Sequence, residues 1–350
     1  MRKRMGLTLS MLCIWAFSMA LYAAYMLHET LQLDEPVVVT MQKGKPLSSF
    51  FHELEKNNWI ADARWIMLVA KLSGQAHLAR AGDYRLTSAM NAMDVLTLLL
   101  KGKTVQYKIT LVEGQTIKET LRRIKKHEKL KQDLPADLNK LMAFLALSGH
   151  PEGRFFPDTY LFDANTRASE ILARAQVRLE SVLAQEWQKR QQALPYKNAY
   201  DALIMASIVE KETAAADERE QIAGVFVRRL QKNMRLETDP TVIYGMGDRY
   251  KGNIRRRHLK EKTAYNTYRM KGLPPTPIAL VGREAIYAAL HPAAGKELYF
   301  VAKGNGRHYF SATLGEHNKA VREYQINRRA KQYRSTPDHP DHPDHPDHPD

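Results

Sequence analysis

The 350-residue chain contains one cysteine, Cys13. An intramolecular disulfide is therefore excluded, as is a cysteine metal site, so any globular part must be held by packed apolar cores. The chain after residue 27 also lacks the phosphate-cradling GxxxxGK(S/T) loop, the Rossmann glycine pattern, HExxH and GxSxG. Nucleotide-binding, zinc-protease and serine-hydrolase chemistry thus miss their minimum parts. Acidic residues are the scarcer charge: 38 Asp and Glu against 53 Lys and Arg leave a net +15. A basic surface suits nucleic acid, anionic lipid or another acidic polymer, and it also keeps a protein soluble with no partner at all.

What is present begins with an uncharged run from Met5 to Leu27, behind Arg2, Lys3 and Arg4. A helix rising about 1.5 Å per residue needs roughly 20 apolar residues to cross the hydrocarbon core. Positive charge on the short N-terminal side predicts residues 1–4 in the cytoplasm, a transmembrane helix over 5–27 and export of the remainder. A cleaved signal peptide is the alternative, since Ser18-Met19-Ala20 offers small residues at a cleavage spacing. Signal peptides have an apolar core of about 7–15 residues, and the longer run here favours an uncleaved anchor. Export argues against nucleic acid as a partner. Anionic lipid and acidic wall peptides remain.

Residues 28–36 read as a linker. Val37-Val38-Val39-Thr40 is a β-branched run that predicts a strand, followed by a turn at Gly44 and a helix with apolar positions 47, 50, 51 and 54. The unit recurs: Tyr107 to Leu111 reads as a strand, Gly114 as the turn, and Ile117 to Ile124 as the helix. In this alignment Thr40 matches Thr110, Gly44 matches Gly114, Leu47 matches Ile117 and Leu54 matches Ile124. Two copies of strand, glycine and helix suggest small α+β modules rather than a solenoid. Between them lie a turn and short strand over 81–86 and a helix over 93–100 ended by Gly102. Residues 126–194 are helix-rich, interrupted by a loop from Gly149 to Tyr160 whose rings could bind something or lid a core. The tail from Pro337 to Asp350 repeats Pro, Asp and His without an apolar residue, which predicts disorder over 331–350. Its histidines (His339, His342, His345, His348) lack the fixed geometry of a metal site, so none is expected.

The chemistry concentrates after Ala199. Ala202 to Val209 is apolar on nearly every side, the mark of a helix buried inside a domain, and it ends in Glu210-Lys211-Glu212-Thr213. A carboxyl at such an end is desolvated, so its pKa rises and it can hold a proton near neutrality, as a general acid must. Positions i and i+2 of a helix do not face one another, so only one of Glu210 and Glu212 can enter a given cleft. Both could equally be solvated end-of-helix charges paired with Lys211 or Arg219. Thr238-Asp239-Pro240 then opens a short apolar element, Tyr265-Asn266-Thr267-Tyr268 offers rings and an amide, and Gly272 to Ile278 is a stiff proline loop. Aromatic faces with hydroxyl and amide groups are what sugar rings require.

Taken in order, Glu152-Gly153 with Phe156-Pro157-Asp158-Thr159-Tyr160, Ala206 to Thr213, Thr238 to Gly245, Tyr265 to Tyr268 and Gly272-Leu273-Pro274-Pro275 resemble the MltG/YceG-like endolytic murein transglycosylase family. With the anchor, the resemblance covers nearly the whole chain except the tail. It implies an α+β fold: the transmembrane helix, a LysM-like α+β module over 37–125, and a helix-rich, lysozyme-like catalytic domain over 126–330. It implies Glu212, followed by Thr213, as the catalytic acid, with Glu210 as the fallback. Asp158, Tyr160, Thr238, Asp239, Tyr265, Asn266 and Tyr268 are the accompanying substrate-site candidates. No cofactor is implied. The expected substrate is the glycan strand of peptidoglycan, cut between N-acetylmuramic acid and N-acetylglucosamine with closure of a 1,6-anhydro ring. That reaction consumes no water and needs no second carboxylate. The expected location is the cytoplasmic (inner) membrane, beside peptidoglycan synthases. Thr276 departs from the family's usual glycine, and Leu280-Val281 from its small-residue and proline pair, which bears on loop shape. Two readings stay open beside this one. One is a muramidase with Asp239 activating water, and the other a non-catalytic wall-binding scaffold.

Overall fold

A computed structural model describes residues 2–213 and 215–327. The Pro-Asp-His tail lies outside the described residues. The described residues form two compact units, one of residues 2–108 with 161–166, the other of residues 109–160 with 167–213 and 215–327.

The first unit starts with α1 (Arg2–His28), of which Ser10–His28 is long and apolar enough, at a mean hydropathy of 1.6, to cross a membrane by length and composition. Then come β1 (Val37–Met41), α2 (Leu47–Lys56), α3 (Ala63–Leu72), β2 (Gly82–Leu86), α4 (Ala92–Lys101) and β3 (Gln106–Thr110). Strands β1 and β2 pair antiparallel from Val37 opposite Leu86 to Met41 opposite Gly82. Helix α2 buries Leu47, Phe50, Phe51 and Leu54, the four positions whose spacing predicts its inner face. Gly44 turns the chain between β1 and α2 at φ 81°, a conformation that L side chains avoid. Gly102 closes α4 in the left-handed region, as its place after the apolar run predicts. These elements pack into one core with Tyr84, Ile66, Val95 and Leu99.

Residues 28–36, expected as a linker, are instead built into this unit. Leu31 is 2% exposed and joins the core. Its N–H donates to the Met90 carbonyl at 2.8 Å, and the Gln32 N–H donates to that of Trp59 at 3.0 Å. An apolar residue so close to a core gains more from burial than from mobility.

The second unit contains α5 (Ile117–Lys125), α6 (Leu138–Phe144), α7 (Ala168–Gln188), α8 (Ala199–Glu212), α9 (Arg219–Gln231), α10 (Asp239–Met246), α11 (Arg256–Lys260), α12 (Arg283–Leu290), the hairpin of β5 (Tyr299–Ala302) and β6 (His308–Ser311), and α13 (Leu314–Val321). One further strand, β4 (Thr159–Asp163), pairs with β3. Helix α8 packs on α7, α9, α10 and α12 at the centre of a second core. The second strand, glycine and helix copy belongs here: Gly114 has φ 72°, its N–H donates to the Leu280 carbonyl at 2.9 Å, and the Leu280 N–H donates back to Gln115 at 2.8 Å. The division at 108/109 therefore precedes the 125/126 boundary read from the repeat. Likeness of local pattern does not decide which core an amphipathic helix joins.

Phe51 is fully buried in the first core. Phe51→Ala should cost about 3–5 kcal/mol, and Phe51→Leu less, because the cavity left is smaller. Denaturant unfolding of the full chain in detergent, with amide exchange read in residues 37–108, checks both.

Candidate active site

Asn198 caps α8 by accepting the Asp201 N–H at 3.0 Å, and the helix then runs through eight consecutive buried residues, Ala202 to Val209. It stops where Thr213 leaves helical geometry (φ −147°, ψ 138°) and turns its hydroxyl to accept the Ala215 N–H at 2.9 Å. Glu210 and Glu212 thus occupy the last turn of a helix whose preceding eight residues have no solvent face.

The two carboxyls leave the helix in different directions. Glu210 accepts the Gly282 N–H at 3.0 Å and pairs with buried Arg219 at 3.7 Å. Burial, reinforced by the charge of Glu113, lifts it to about 7 against the pull of Arg219. Glu212 accepts the hydroxyl of Thr238 on Oε1. Burial lifts it too to about 7. The Thr238 bond opposes the shift and the charge of Asp239 adds to it.

Glu212 lines an open cleft of about 1140 Å³, and Glu210 does not. Thr238, Asp239 and Tyr268 share that wall, where Tyr268 donates its hydroxyl to Asp239 at 2.7 Å. Tyr250, Tyr299 and Phe300 add aromatic surface, and Lys211, Arg229, His308 and His317 add polar groups. Arg229 is fixed by donating to the carbonyls of Leu298 (2.6 Å), Arg235 and Leu236 (both 3.0 Å), with its guanidinium 5.0 Å from the Tyr299 ring centre. His308 is fixed by Glu218, whose carboxylate lies 2.8 Å from Nδ1 and also accepts the His308 N–H. His317 stacks on Tyr299 at 5.2 Å. None of these three side chains is marked by a sequence motif, because no motif joins α9, the β5–β6 hairpin or α13 to Glu212. A smaller hollow of about 570 Å³, lined by Arg249, Arg257 and Lys260, holds neither Glu210 nor Glu212. Among the described residues no group of three His, Cys, Asp or Glu side chains converges as a metal site.

The other sequence candidates lie off the cleft wall. Asn266 is fully buried, its amide donating to the carbonyls of His258, Leu259 and Glu261 and its oxygen accepting the Tyr268 N–H at 3.0 Å. It ties down the segment that carries Tyr268. Tyr265 packs edge-on against Tyr244 at 4.8 Å, with its hydroxyl 2.9 Å from that of Thr276. Tyr160 is buried and donates to the Phe156 carbonyl at 2.8 Å, while Asp158 is exposed and accepts the Thr159 N–H at 2.7 Å. In the 149–160 loop, Phe155 and Phe156 point into cores, as lids do. The same loop buries Glu152, which accepts the Ile117 N–H at 2.8 Å and the Tyr244 hydroxyl at 3.1 Å. Burial pushes this carboxyl to about 7 as well.

Residues 39–323 match the model of the YceG-like family. A Bacillus subtilis protein named endolytic murein transglycosylase is 32% identical over 314 residues, covering 84% of this chain and 86% of that protein. A Streptococcus pneumoniae protein of the same name is 26% identical over 345 residues, covering 86% of this chain and 61% of its own length. Among solved structures, a yceG-like protein of Listeria monocytogenes superposes with a TM-score of 0.52 at 32% identity, covering 81% of this chain and 99% of that one.

Glu152, Glu210 and Glu212 share a consequence for stability. Their ordinary value is 4.5, so between about pH 4.5 and 7 the folded chain keeps protons that the unfolded chain has released. Their stabilising contribution is full below that window and is lost as pH rises through it. Thermal melts should show a smaller drop in Tm from pH 5 to pH 8 in Glu152→Gln than in wild type. An unchanged drop would mean that Glu152 is ionised in the folded state at pH 5.

Proposed function

The chain belongs to the YceG-like family, and on that premise we propose that it is an endolytic murein transglycosylase whose catalytic acid is Glu212. The observation that carries this reading is the position of Glu212, in the last turn of a buried helix and open to a large cleft. Its carboxyl is lifted to about 7 by burial. At neutral pH both of its protonation states are populated, which suits a group that must first give a proton and then take one.

Protonated Glu212 gives its proton to the oxygen of the bond between N-acetylmuramic acid and N-acetylglucosamine as the bond from that oxygen to muramyl C1 breaks. The carboxylate left behind takes the proton of the muramyl C6 hydroxyl, whose oxygen closes on C1 to form the 1,6-anhydro ring. Glu212 ends protonated as it began, and no water enters. Thr238 holds one carboxyl oxygen by donating its hydroxyl, and so stabilises the carboxylate between the two proton transfers. The rings of Tyr250, Tyr268 and Tyr299 supply apolar surface for sugar faces. Asp239, the carboxylate that a water-activating mechanism would use, is engaged by Tyr268. The proposal extends to the rest of the chain. In it, α1 anchors the protein in the cytoplasmic membrane with its N-terminus inside, the first unit, from residue 37 to 108, acts as a LysM-like module, the lysozyme-like part works outside on nascent strands, and membrane-bound synthases are neighbours.

Digestion of nascent glycan by the full chain in detergent tests the residue and the reaction together. Wild type should release fragments ending in 1,6-anhydro-muramic acid by mass spectrometry, and Glu212→Gln should be slower by about 10²–10⁴-fold. Reducing muramic ends without the anhydro form would replace the lyase reading by a hydrolase. Loss of activity in Glu210→Gln with survival in Glu212→Gln would move the catalytic role to Glu210. A pH profile adds a second check. Because the Thr238 bond lowers the Glu212 pKa, Thr238→Val should move the alkaline limb of kcat/KM to higher pH.

A further inference from the structure

We propose that the first unit lies on the bilayer surface through helix α3, with Trp65, Leu68 and Leu72 at the boundary between headgroups and acyl chains. This rests on the reading of α1 as a membrane anchor.

Helix α3 has two apolar faces. Ala63, Ile66 and Ala70 enter the core of the unit. Residues three and four apart share a stripe of a helix, so Trp65, Leu68 and Leu72 form a second stripe away from it. Leu68 is 47% exposed and Leu72 79%, and Leu78, just beyond the helix, is 50% exposed. Arg64, whose guanidinium pairs with Asp62 at 2.7 Å, and Lys71, seven apart and both exposed, run along the next stripe. An apolar stripe flanked by long basic side chains is the pattern of a helix lying in a membrane interface, where basic groups reach up to the headgroups. Single exposed leucines are ordinary on protein surfaces, so the stripe alone would carry nothing.

Its position relative to α1 carries the argument. Trp65 packs edge-on against Tyr22 of α1, with ring centres 6.1 Å apart and planes at 76°. Tyr22 stands five residues before the end of the apolar run at Leu27, about 7–8 Å below that end at about 1.5 Å per residue. Interfacial helices sit about 5–10 Å into the boundary of headgroups and acyl chains, so a side chain level with Tyr22 is at their depth. Tyr and Trp side chains also concentrate at that level. The unit cannot swing clear on a free tether, because Leu31 is buried in its core and the backbone of Leu31 and Gln32 is bonded to Met90 and Trp59. If α1 spans the bilayer, α3 is brought to the bilayer with it.

The test uses the full chain with Cys13→Ser, carrying one cysteine at a time at position 17, 68, 72 or 177. Each variant is nitroxide-labelled and reconstituted in vesicles of phosphatidylethanolamine and phosphatidylglycerol. Phe17 lies inside the anchor, and Val177 is an exposed apolar residue of the second unit, 62% accessible. Collision with dissolved oxygen against a polar nickel chelate reports lipid against water at each label. The expected result is an oxygen-to-nickel ratio at 68 and 72 several-fold above that at 177 and below that at 17. Lipid exposure at 17 with water exposure at 68 and 72 would overturn the proposal and leave the anchor standing. Water exposure at 17 would remove the anchor and the proposal with it. Labels at 68 and 72 shielded from both reagents would mean a protein partner, such as a second copy, and would also overturn it.

Discussion

A helix buried on every side through its middle has to deliver its last turn into something, and much of the second unit follows from how α8 does so. Eight consecutive residues from Ala202 to Val209 are buried, so its final carboxyls emerge among other helices rather than into bulk water. The beginnings of three helices receive them. Gly282, which caps α12, donates its N–H to Glu210, Arg219 opens α9 and pairs with Glu210, and Thr238, which caps α10, donates its hydroxyl to Glu212. Helix N-termini carry partial positive charge and unpaired N–H groups, so negative charge is tolerable there when it is not tolerable elsewhere in a core. The same contacts tie the starts of α9, α10 and α12 to the acidic end of α8, which makes that end a structural junction as well as the place where two carboxyls have raised pKa values.

Raised carboxyl pKa values do not by themselves mark catalysis. Glu152, Glu210 and Glu212 are all lifted to about 7 by burial. Glu152 spends both oxygens on protein donors, the Ile117 N–H and the Tyr244 hydroxyl, and Glu210 is shared between Gly282 and Arg219. Glu212 combines one hydroxyl donor with access to the cleft. Two residues along a helix correspond to about 200° around its axis, enough to give neighbouring acids with the same pKa direction different environments.

Much of this was legible in the residues. The inner face of α2, the glycine turns at 44 and 114, the end of α4 at Gly102 and the buried run of α8 are all properties of local spacing and backbone freedom. Glu212, Thr238, Asp239 and Tyr268 were reached through short motifs, and the fold brings them to one wall. What local pattern could not convey was the destination of each side chain. Asn266 and Tyr265 look like sugar-binding groups by type, yet their polar atoms are occupied by backbone carbonyls and by Thr276. Arg229, His308 and His317 reach the cleft from elements whose own sequences announce only amphipathic packing. The segment 28–36 looked like a tether because it is short and mixed, and the burial of one leucine makes it part of a core.

The placement of the second strand, glycine and helix copy bears on how the protein can be divided. Fragment design guided by the repeat would begin a soluble piece after residue 125. Such a piece would lose the Ile117 amide that Glu152 accepts, the two backbone bonds that hold Leu280, and the Gly114 carbonyl that receives Lys211 at 3.1 Å. Each of those groups would face solvent or go unsatisfied: Lys211 next to Glu210, Leu280 on the loop leading to α12, and Glu152 in the 149–160 loop. A fragment opening at Ile109 keeps them. The natural seam of this chain therefore lies inside its apparent repeat, one copy packing in the unit that carries α1 and the other bracing the acidic end of α8.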